Sequence, residues 1–248
     1  MTEGIRIFAA GSLRHALPDI ADAFREAAGV PVSVSLGPAG LLRERIEAGE
    51  PFDLFASANM AHPQHLASTG LTEEAVCFTR NRLVVLARTG LGLTAENLVT
   101  VLSAPSTRIG MSTPGDDPSG DYAFDMFDRL EAHHRGLGET LKTRALQLVG
   151  GRHSPPGRSA AGLIAEGIVD LFLGYASNAR LHAKDPAFGI VAIPPAYAPD
   201  IAYGLALRKG AAEDAVAFRD FLLSEPAERL LLRNGFESRD GAVHRRQR

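Results

Sequence analysis

The chain has a single cysteine, no tryptophan, no long apolar run and no excess of either charge. A lone Cys77 excludes an intrachain disulfide and has no partner for a cysteine-rich metal site. Set beside Val76 and Phe78, its thiol is expected to be buried and inert. No stretch reaches the roughly 20 apolar residues that a membrane-spanning helix needs, so no membrane insertion is expected. Lys and Arg number 26 against 29 Asp and Glu, a formal net charge of −3. That balance gives no general pull toward nucleic acid or an anionic membrane, and neither is expected as a partner. The basic end Arg245-Arg246-Gln247-Arg248 reads as a short solvated tail. The N-terminus lacks a basic segment followed by an apolar one, so no signal peptide is expected in the chain as it stands. That leaves an exported protein whose leader has been removed, or one that stays inside the cell.

Signatures of catalysis are also missing. There is no G-x-S-x-G elbow, no nucleotide-binding G-x-x-x-x-G-K loop and no dinucleotide fingerprint. His133 and His134 are adjacent, so on a helix they point in different directions. His62 and His65 have a ligand-like spacing but no third partner, and read as surface loop residues. Asp116, Asp117 and Asp121 lack the ordered spacing of a calcium loop, and read as a solvated turn. No enzyme activity, metal or cofactor is expected.

What the chain does have is an alternation of strand-like and helix-like segments. With 45% of its 248 residues hydrophobic, it can bury one large core or two modest ones. Residues 5–10 read as a strand, followed by an apolar stripe at helical spacing: Leu13, Ala16, Leu17, Ile20, Phe24 and Ala27. Ser12 stands where an N-cap is expected, Pro18 where it would bend the helix, and Gly29 where the helix should stop. Strands follow at 31–36 and 53–57, with a helix at about 41–48 between them. This βαβαβ rhythm predicts an α/β fold with a parallel sheet. Strands are further predicted at 81–87, 107–112, 145–149, 169–175, 190–193 and 203–207, and closing helices at about 211–223 and 226–234. No internal repeat and no long linker is evident. If the chain forms two lobes, it passes between them near Arg80-Asn81 and near 199–202.

Three turns place small residues where a strand gives way to a helix: Ala10-Gly11-Ser12-Leu13, Gly37-Pro38-Ala39-Gly40 and Pro118-Ser119-Gly120-Asp121-Tyr122. Helix N-termini leave about four N–H groups unpaired and carry about half a positive charge. Several such ends facing one cleft would bind an anion without Lys or Arg, at the carboxyl ends of the strands. Each turn taken alone is equally an ordinary cap.

Ala9-Ala10-Gly11-Ser12-Leu13, Gly37-Pro38-Ala39-Gly40-Leu41 and Phe52-Asp53-Leu54-Phe55-Ala56-Ser57 occur in that order. Asn81-Arg82-Leu83-Val84-Val85, Pro118-Ser119-Gly120-Asp121-Tyr122, Glu166-Gly167-Ile168-Val169-Asp170 and Gly174-Tyr175-Ala176-Ser177-Asn178 follow. This series resembles the periplasmic molybdate- and tungstate-binding proteins of ABC transporters, over about nine tenths of the chain. The resemblance implies a type II periplasmic-binding-protein fold with two α/β lobes and a ligand cleft. Lobe one would hold residues 1–80 with 203–248, and lobe two 81–202. It implies a monomeric receptor that takes a tetrahedral oxyanion by hinge closure and delivers it to an ABC permease. The donors it implies are Ser12 (hydroxyl and amide), Ala39 (amide), Ser119 (amide or hydroxyl), Gly157 (amide) and Tyr175 (phenol).

Two departures bear on the ligand. The family's second turn usually carries serine where this chain has Ala39, so one hydroxyl donor is missing, and Pro38 removes a nearby N–H. A hydrogen bond to a charged group contributes roughly 1.5–3 kcal/mol, so its loss would weaken binding about tenfold or more. The hydroxyl of Ser119 could restore the count. Arg158, in Ser154-Pro155-Pro156-Gly157-Arg158, suits a carboxylate or phosphate gripped bidentately, and equally suits a solvated helix start. Asp121 is expected to point away from any bound anion. The alternatives are therefore a receptor retuned to another small anion or organic acid, and an intracellular ligand-sensing domain.

Overall fold

The computed structural model describes residues 4–155 and 157–241. Pro156 and the basic tail read above lie outside them. The chain divides into two compact units, one of Met1–Asn81 with Ile201–Arg248 and one of Arg82–Asp200.

The first unit begins with β1 (Ile5–Ala10), α1 (Leu17–Ala28), β2 (Val32–Gly37) and α2 (Ala39–Glu47). It continues through β3 (Leu54–Ser57), α3 (Ala61–Ser68) and β4 (Val76–Asn81). The second unit opens with β5 (Leu83–Arg88), α4 (Leu98–Ser103), β6 (Ile109–Ser112), α5 (Pro118–His133) and α6 (Leu137–Arg144). It closes with β7 (Leu146–Val149), α7 (Ala160–Ala165), β8 (Leu171–Tyr175), α8 (Ala176–Ala179) and β9 (Phe188–Ala192). The chain then returns to the first unit as β10 (Ile201–Leu207), α9 (Glu213–Leu222) and α10 (Glu225–Arg233).

The sheets are mixed, not parallel throughout as the βαβ rhythm suggests. In the first unit the order is β2-β1-β3-β10-β4, with β1 parallel to β2 and β3, and β10 antiparallel to β3 and β4. In the second it is β7-β6-β8-β5-β9, with β6 parallel to β7 and β8, and β5 antiparallel to β8 and β9. The antiparallel member of each sheet, β10 or β5, adjoins a point where the chain changes unit. β4 is the strand that the apolar stretch at Cys77 did not reveal. Cys77 itself is only half-buried there, because β4 is an edge strand. β3 and β6 are buried along their whole length, as strands covered on both faces must be.

The stretch after β1 differs from the continuous bent helix expected there. Gly11–Leu13 form a short 3-10 turn with Ala10, not Ser12, in the cap position, and α1 starts only at Leu17. Pro18 therefore sits in the first helical turn, where its missing N–H costs nothing, and bends nothing. Leu17, Ile20, Ala21 and Phe24 form the buried stripe of α1. Phe24 meets Phe218 of α9 edge-on at 5.0 Å between centroids. Gly29 ends α1 in the left-handed region at φ 72°, as the stop signal predicts.

Each sheet is pinned by one buried aspartate just before its third parallel strand. Asp53 accepts from the Arg6 backbone N–H at 2.9 Å and from Arg6 Nε at 3.2 Å, with Arg208 Nη2 at 3.5 Å. Asp170 accepts from the Arg108 N–H at 2.9 Å, from Arg108 Nε at 3.1 Å and Nη2 at 2.9 Å, and from Arg88 Nε at 2.9 Å.

Candidate functional site

Because β1, β2 and β3 are parallel, their carboxyl ends share one edge of the first sheet, and the turns that follow them carry the candidate residues. Ser12 follows β1 and is buried, with its Oγ 2.8 Å from Tyr203 Oη. Ala39 is the first residue of α2 and fully buried, and Pro38 before it is the extended N-cap residue. A Cβ placed on Gly11 would lie 3.9 Å from Gly37 O, so the turns after β1 and β2 are neighbours. The turn after β3 adds Ser57 and Asn59, both buried. Ser57 Oγ donates to Asn59 Oδ1 at 3.0 Å, and Asn59 Oδ1 also accepts from the His62 N–H at 3.1 Å. These two polar residues, with Tyr203 and Asn81, are not among the site residues expected from the sequence. Tyr203 and Asn81 reach this edge only through strand pairing, and no local spacing announces them.

In the second unit β6, β7 and β8 are parallel in the same way. Ser119 is at the second position of α5 and buried. Its amide already donates to Asp117 Oδ1 at 3.0 Å, so the donor left to a ligand is the hydroxyl. Tyr175 ends β8, is buried, and meets the ring of Tyr122 from α5 at 6.5 Å. Ser119 lies about one helical turn before Tyr122 on α5. Gly157 is exposed at φ 79°, in the loop after β7, and Arg158 beside it is exposed immediately before Ser159, the N-cap of α7. Gly157 and Arg158 thus belong to the loop, and Ser119 and Tyr175 to the start of α5 and the end of β8.

Glycine allows the residues that follow β6 to pack against both the start of α5 and the loop after β7. A Cβ on Gly120 would come within 2.5–2.7 Å of the backbone of 112–114, and one on Gly151 within 2.4 Å of Thr113 Oγ1. A cavity of about 290 Å³ lies here, lined by Thr113, Asp116, Arg152, His153, Ser154 and Arg158 among others.

The acidic cluster is not the solvated turn expected. Asp116 is buried and accepts from Arg152 through the backbone N–H at 2.9 Å and Nη2 at 2.7 Å, and the Arg152 guanidinium holds its carboxyl below the ordinary range. Asp117 caps α5. Asp121 accepts from the Gly115 N–H at 2.7 Å, so it turns back onto its own loop, and burial pushes its carboxyl up. His62 and His65 lie on α3, not in a loop. His62 is buried, and desolvation, helped by Arg43 and His65, lowers it to about 4. His65 Nε2 pairs with Glu47 at 2.7 Å. Among the described residues no group of three His, Cys, Asp or Glu side chains is placed to hold a metal ion. No helix among them is long and apolar enough to cross a membrane.

Two α/β units, each with a mixed five-stranded sheet and polar turns at its carboxyl edge, define the type II periplasmic-binding-protein fold. The chain belongs to the bacterial extracellular solute-binding protein family, whose profile matches residues 5–237. An uncharacterised protein of Pasteurella multocida is 40% identical over 208 residues, 82% of this chain and 86% of its own length. The molybdate-binding protein ModA of Escherichia coli is 27% identical over 241 residues, 94% of this chain and 88% of ModA. Among solved structures, the periplasmic molybdate-binding protein of Azotobacter vinelandii superposes with a TM-score of 0.76 at 21% identity, covering 94% of this chain and 98% of that one. The sulfate-binding protein SubI of Mycobacterium tuberculosis gives 0.79 at 18% identity, covering 97% and 88%. Family members are solute-binding proteins.

Proposed function

We propose that this chain is the non-enzymatic, periplasmic receptor of an ABC importer, and that it captures a tetrahedral oxyanion, molybdate or tungstate. The observation that carries this reading is the chemistry of the two carboxyl edges. The Ser12 hydroxyl, the start of α2 at Ala39, and the Ser119 and Tyr175 hydroxyls are neutral hydrogen-bond donors set at or beside strand ends. Neutral donors and helix N-termini suit a small anion that only accepts hydrogen bonds. A ligand accepting from both units favours whichever arrangement lets it do so, and that supplies the free energy for closure. A permease can then distinguish loaded from empty receptor. The similarity to molybdate-binding proteins supports this choice of anion; the similarity to a sulfate-binding protein makes sulfate the control that matters.

A second reading rests on the cavity beside Arg152, His153 and Arg158. It is larger than a lone tetrahedral oxyanion requires, and Arg158 in its lining suits an organic acid or phosphate ester. The deciding experiment is thermal unfolding with molybdate, tungstate, sulfate, phosphate, a carboxylate panel and a small phosphate ester. A ligand at about 100 times its Kd adds roughly 2.7 kcal/mol. Stabilisation by molybdate and tungstate but not sulfate is the expected result. Stabilisation by an organic acid or phosphate ester alone would favour the second reading.

A further inference from the structure

The turns after the three parallel strands of the first sheet are in register with one another. Ala9 of β1 pairs with Leu36 of β2 on one side and with Ala56 of β3 on the other. Ser12, Ala39 and Asn59 each stand three residues beyond these paired positions, after strands that run about 4.8 Å apart. Two of the three belong to the proposed donor set, and the third does not. β10 ties Asn59 to the same edge as Ser12. The Gly204 N–H donates to Asn59 O at 3.2 Å, and the hydroxyl of the preceding Tyr203 lies 2.8 Å from Ser12 Oγ.

The partners of the Asn59 side chain fix its orientation. The His62 N–H can only donate, so the atom it meets at 3.1 Å is the amide oxygen. The Ser57 hydroxyl accepts from the Asn59 N–H at 3.3 Å and gives its proton to that same oxygen at 3.0 Å. Both bonds hold Oδ1 toward Ser57 and the start of α3, which leaves Nδ2 facing away from them. Asn59 is only 8% exposed, yet its Nδ2 keeps a share of that exposure, and no described residue accepts from it. Holding the start of α3 does not account for this amide, because an aspartate caps a helix as well as an asparagine does. What asparagine adds is an NH₂ that can only donate.

We infer that Asn59 is a further ligand donor, supplying from the turn after β3 the hydrogen bond that Ala39 has no hydroxyl to make. The inference rests on the oxyanion-receptor reading given above. Its Nδ2 offers two N–H bonds and no acceptor, so it favours a ligand oxygen that carries no proton. Being neutral, it adds to the donor count without adding a cation, in keeping with the hydroxyl of Ser12 on the neighbouring turn.

The test compares wild type, Asn59→Asp and Asn59→Ala by isothermal titration with molybdate, tungstate and sulfate, alongside thermal unfolding of the ligand-free proteins. Asn59→Asp keeps the oxygen that holds α3, so its unfolding temperature should match or exceed that of the wild type. Its second oxygen, however, stands where Nδ2 stood. Molybdate affinity should fall about a hundredfold or more, through the lost donor and the like charge. At least a tenfold loss should persist in about 0.5 M sodium chloride, where the screening length is about 4 Å. Asn59→Ala loses cap and donor together, so it should unfold at a lower temperature and bind molybdate about tenfold more weakly. Wild-type affinity in Asn59→Asp, or a loss that salt abolishes, would overturn the assignment and make Asn59 a helix cap alone, leaving the oxyanion reading standing. Failure of the wild type to bind any of the three anions would overturn both.

Discussion

Asp53 stands one residue before β3 in the first unit, and Asp170 stands one residue before β8 in the second, each followed by Leu-Phe. Both accept the backbone N–H and the guanidinium of an arginine from the neighbouring parallel strand or its lead-in, and both are approached by an arginine at or just beyond an end of the antiparallel strand. The two sheets thus share a strand order and an anchoring device, although no repeat is evident along the sequence. They differ in how tightly the device is made. The second arginine reaches Asp170 at 2.9 Å but Asp53 only at 3.5 Å. The Arg108 hydrogen bonds hold Asp170 far below the ordinary carboxylate range against the cost of burial. For Asp53 burial is the largest influence and pushes upward, and the bonds from Arg6 with the charges of Arg6 and Arg208 bring a smaller net lowering. The same topology therefore tolerates different margins of electrostatic stabilisation.

The largest expected effect tests that difference directly. Asp170→Asn should cost about 3 kcal/mol in urea unfolding, and Asp53→Asn about half as much, because removing one partner strands the rest of a paired cluster. Equal costs would break the comparison. The pH dependence sharpens it. Asp170 has a folded value below its ordinary 3.8, so its contribution is complete above that value and is lost as pH falls below it toward the folded value. The stability gap between wild type and Asp170→Asn should accordingly close only below about pH 4.

Next in size is a contrast between two glycines. Gly120→Ala forces a Cβ within 2.5–2.7 Å of backbone atoms of 112–114, whereas Gly37→Ala meets only the Leu42 side chain at 3.3 Å. The first should cost about 2–3 kcal/mol and weaken anion binding by displacing the start of α5. The second should cost under about 1 kcal/mol, since a leucine can yield. Thermal unfolding of both variants decides whether the second unit's turn is the less forgiving one.

His62 gives the first unit an acid sensitivity of its own. Its folded value, about 4, lies below the ordinary 6.5, so stability is complete above 6.5 and declines as pH falls toward 4. The slope is at most about 1.4 kcal/mol per pH unit, and about 2 kcal/mol in all once the imidazolium relaxes toward water. Hydrogen exchange between pH 6.5 and 4 should show the first unit loosening before the second, and His62→Gln should remove the difference. Simultaneous loosening in the wild type would show that another group sets the acid response.

Much of this architecture was legible in the sequence because its signals are local. Apolar runs mark β1, β3, β5 and β8, the members Leu17, Ile20 and Phe24 of the helical stripe mark the buried face of α1, and Gly29 marks its end. The turns holding Ser12, Ala39 and Ser119 were recognisable because a strand, small residues and a helix adjoin along the chain. Local signals also misled: Ser12 at a strand end suggests an N-cap, but the 3-10 turn takes that place, and Pro18 begins a helix instead of bending one. Only tertiary structure decided what depends on residues distant in sequence. It made the sheets mixed, because β10 and β5 arrive antiparallel from across a change of unit. It turned three aspartates from a solvated turn into an arginine partner, a helix cap and a loop clasp. It also set Tyr203 against Ser12 across 191 positions, since a hydrogen bond is fixed by where strands pair and not by how far apart its partners lie along the chain.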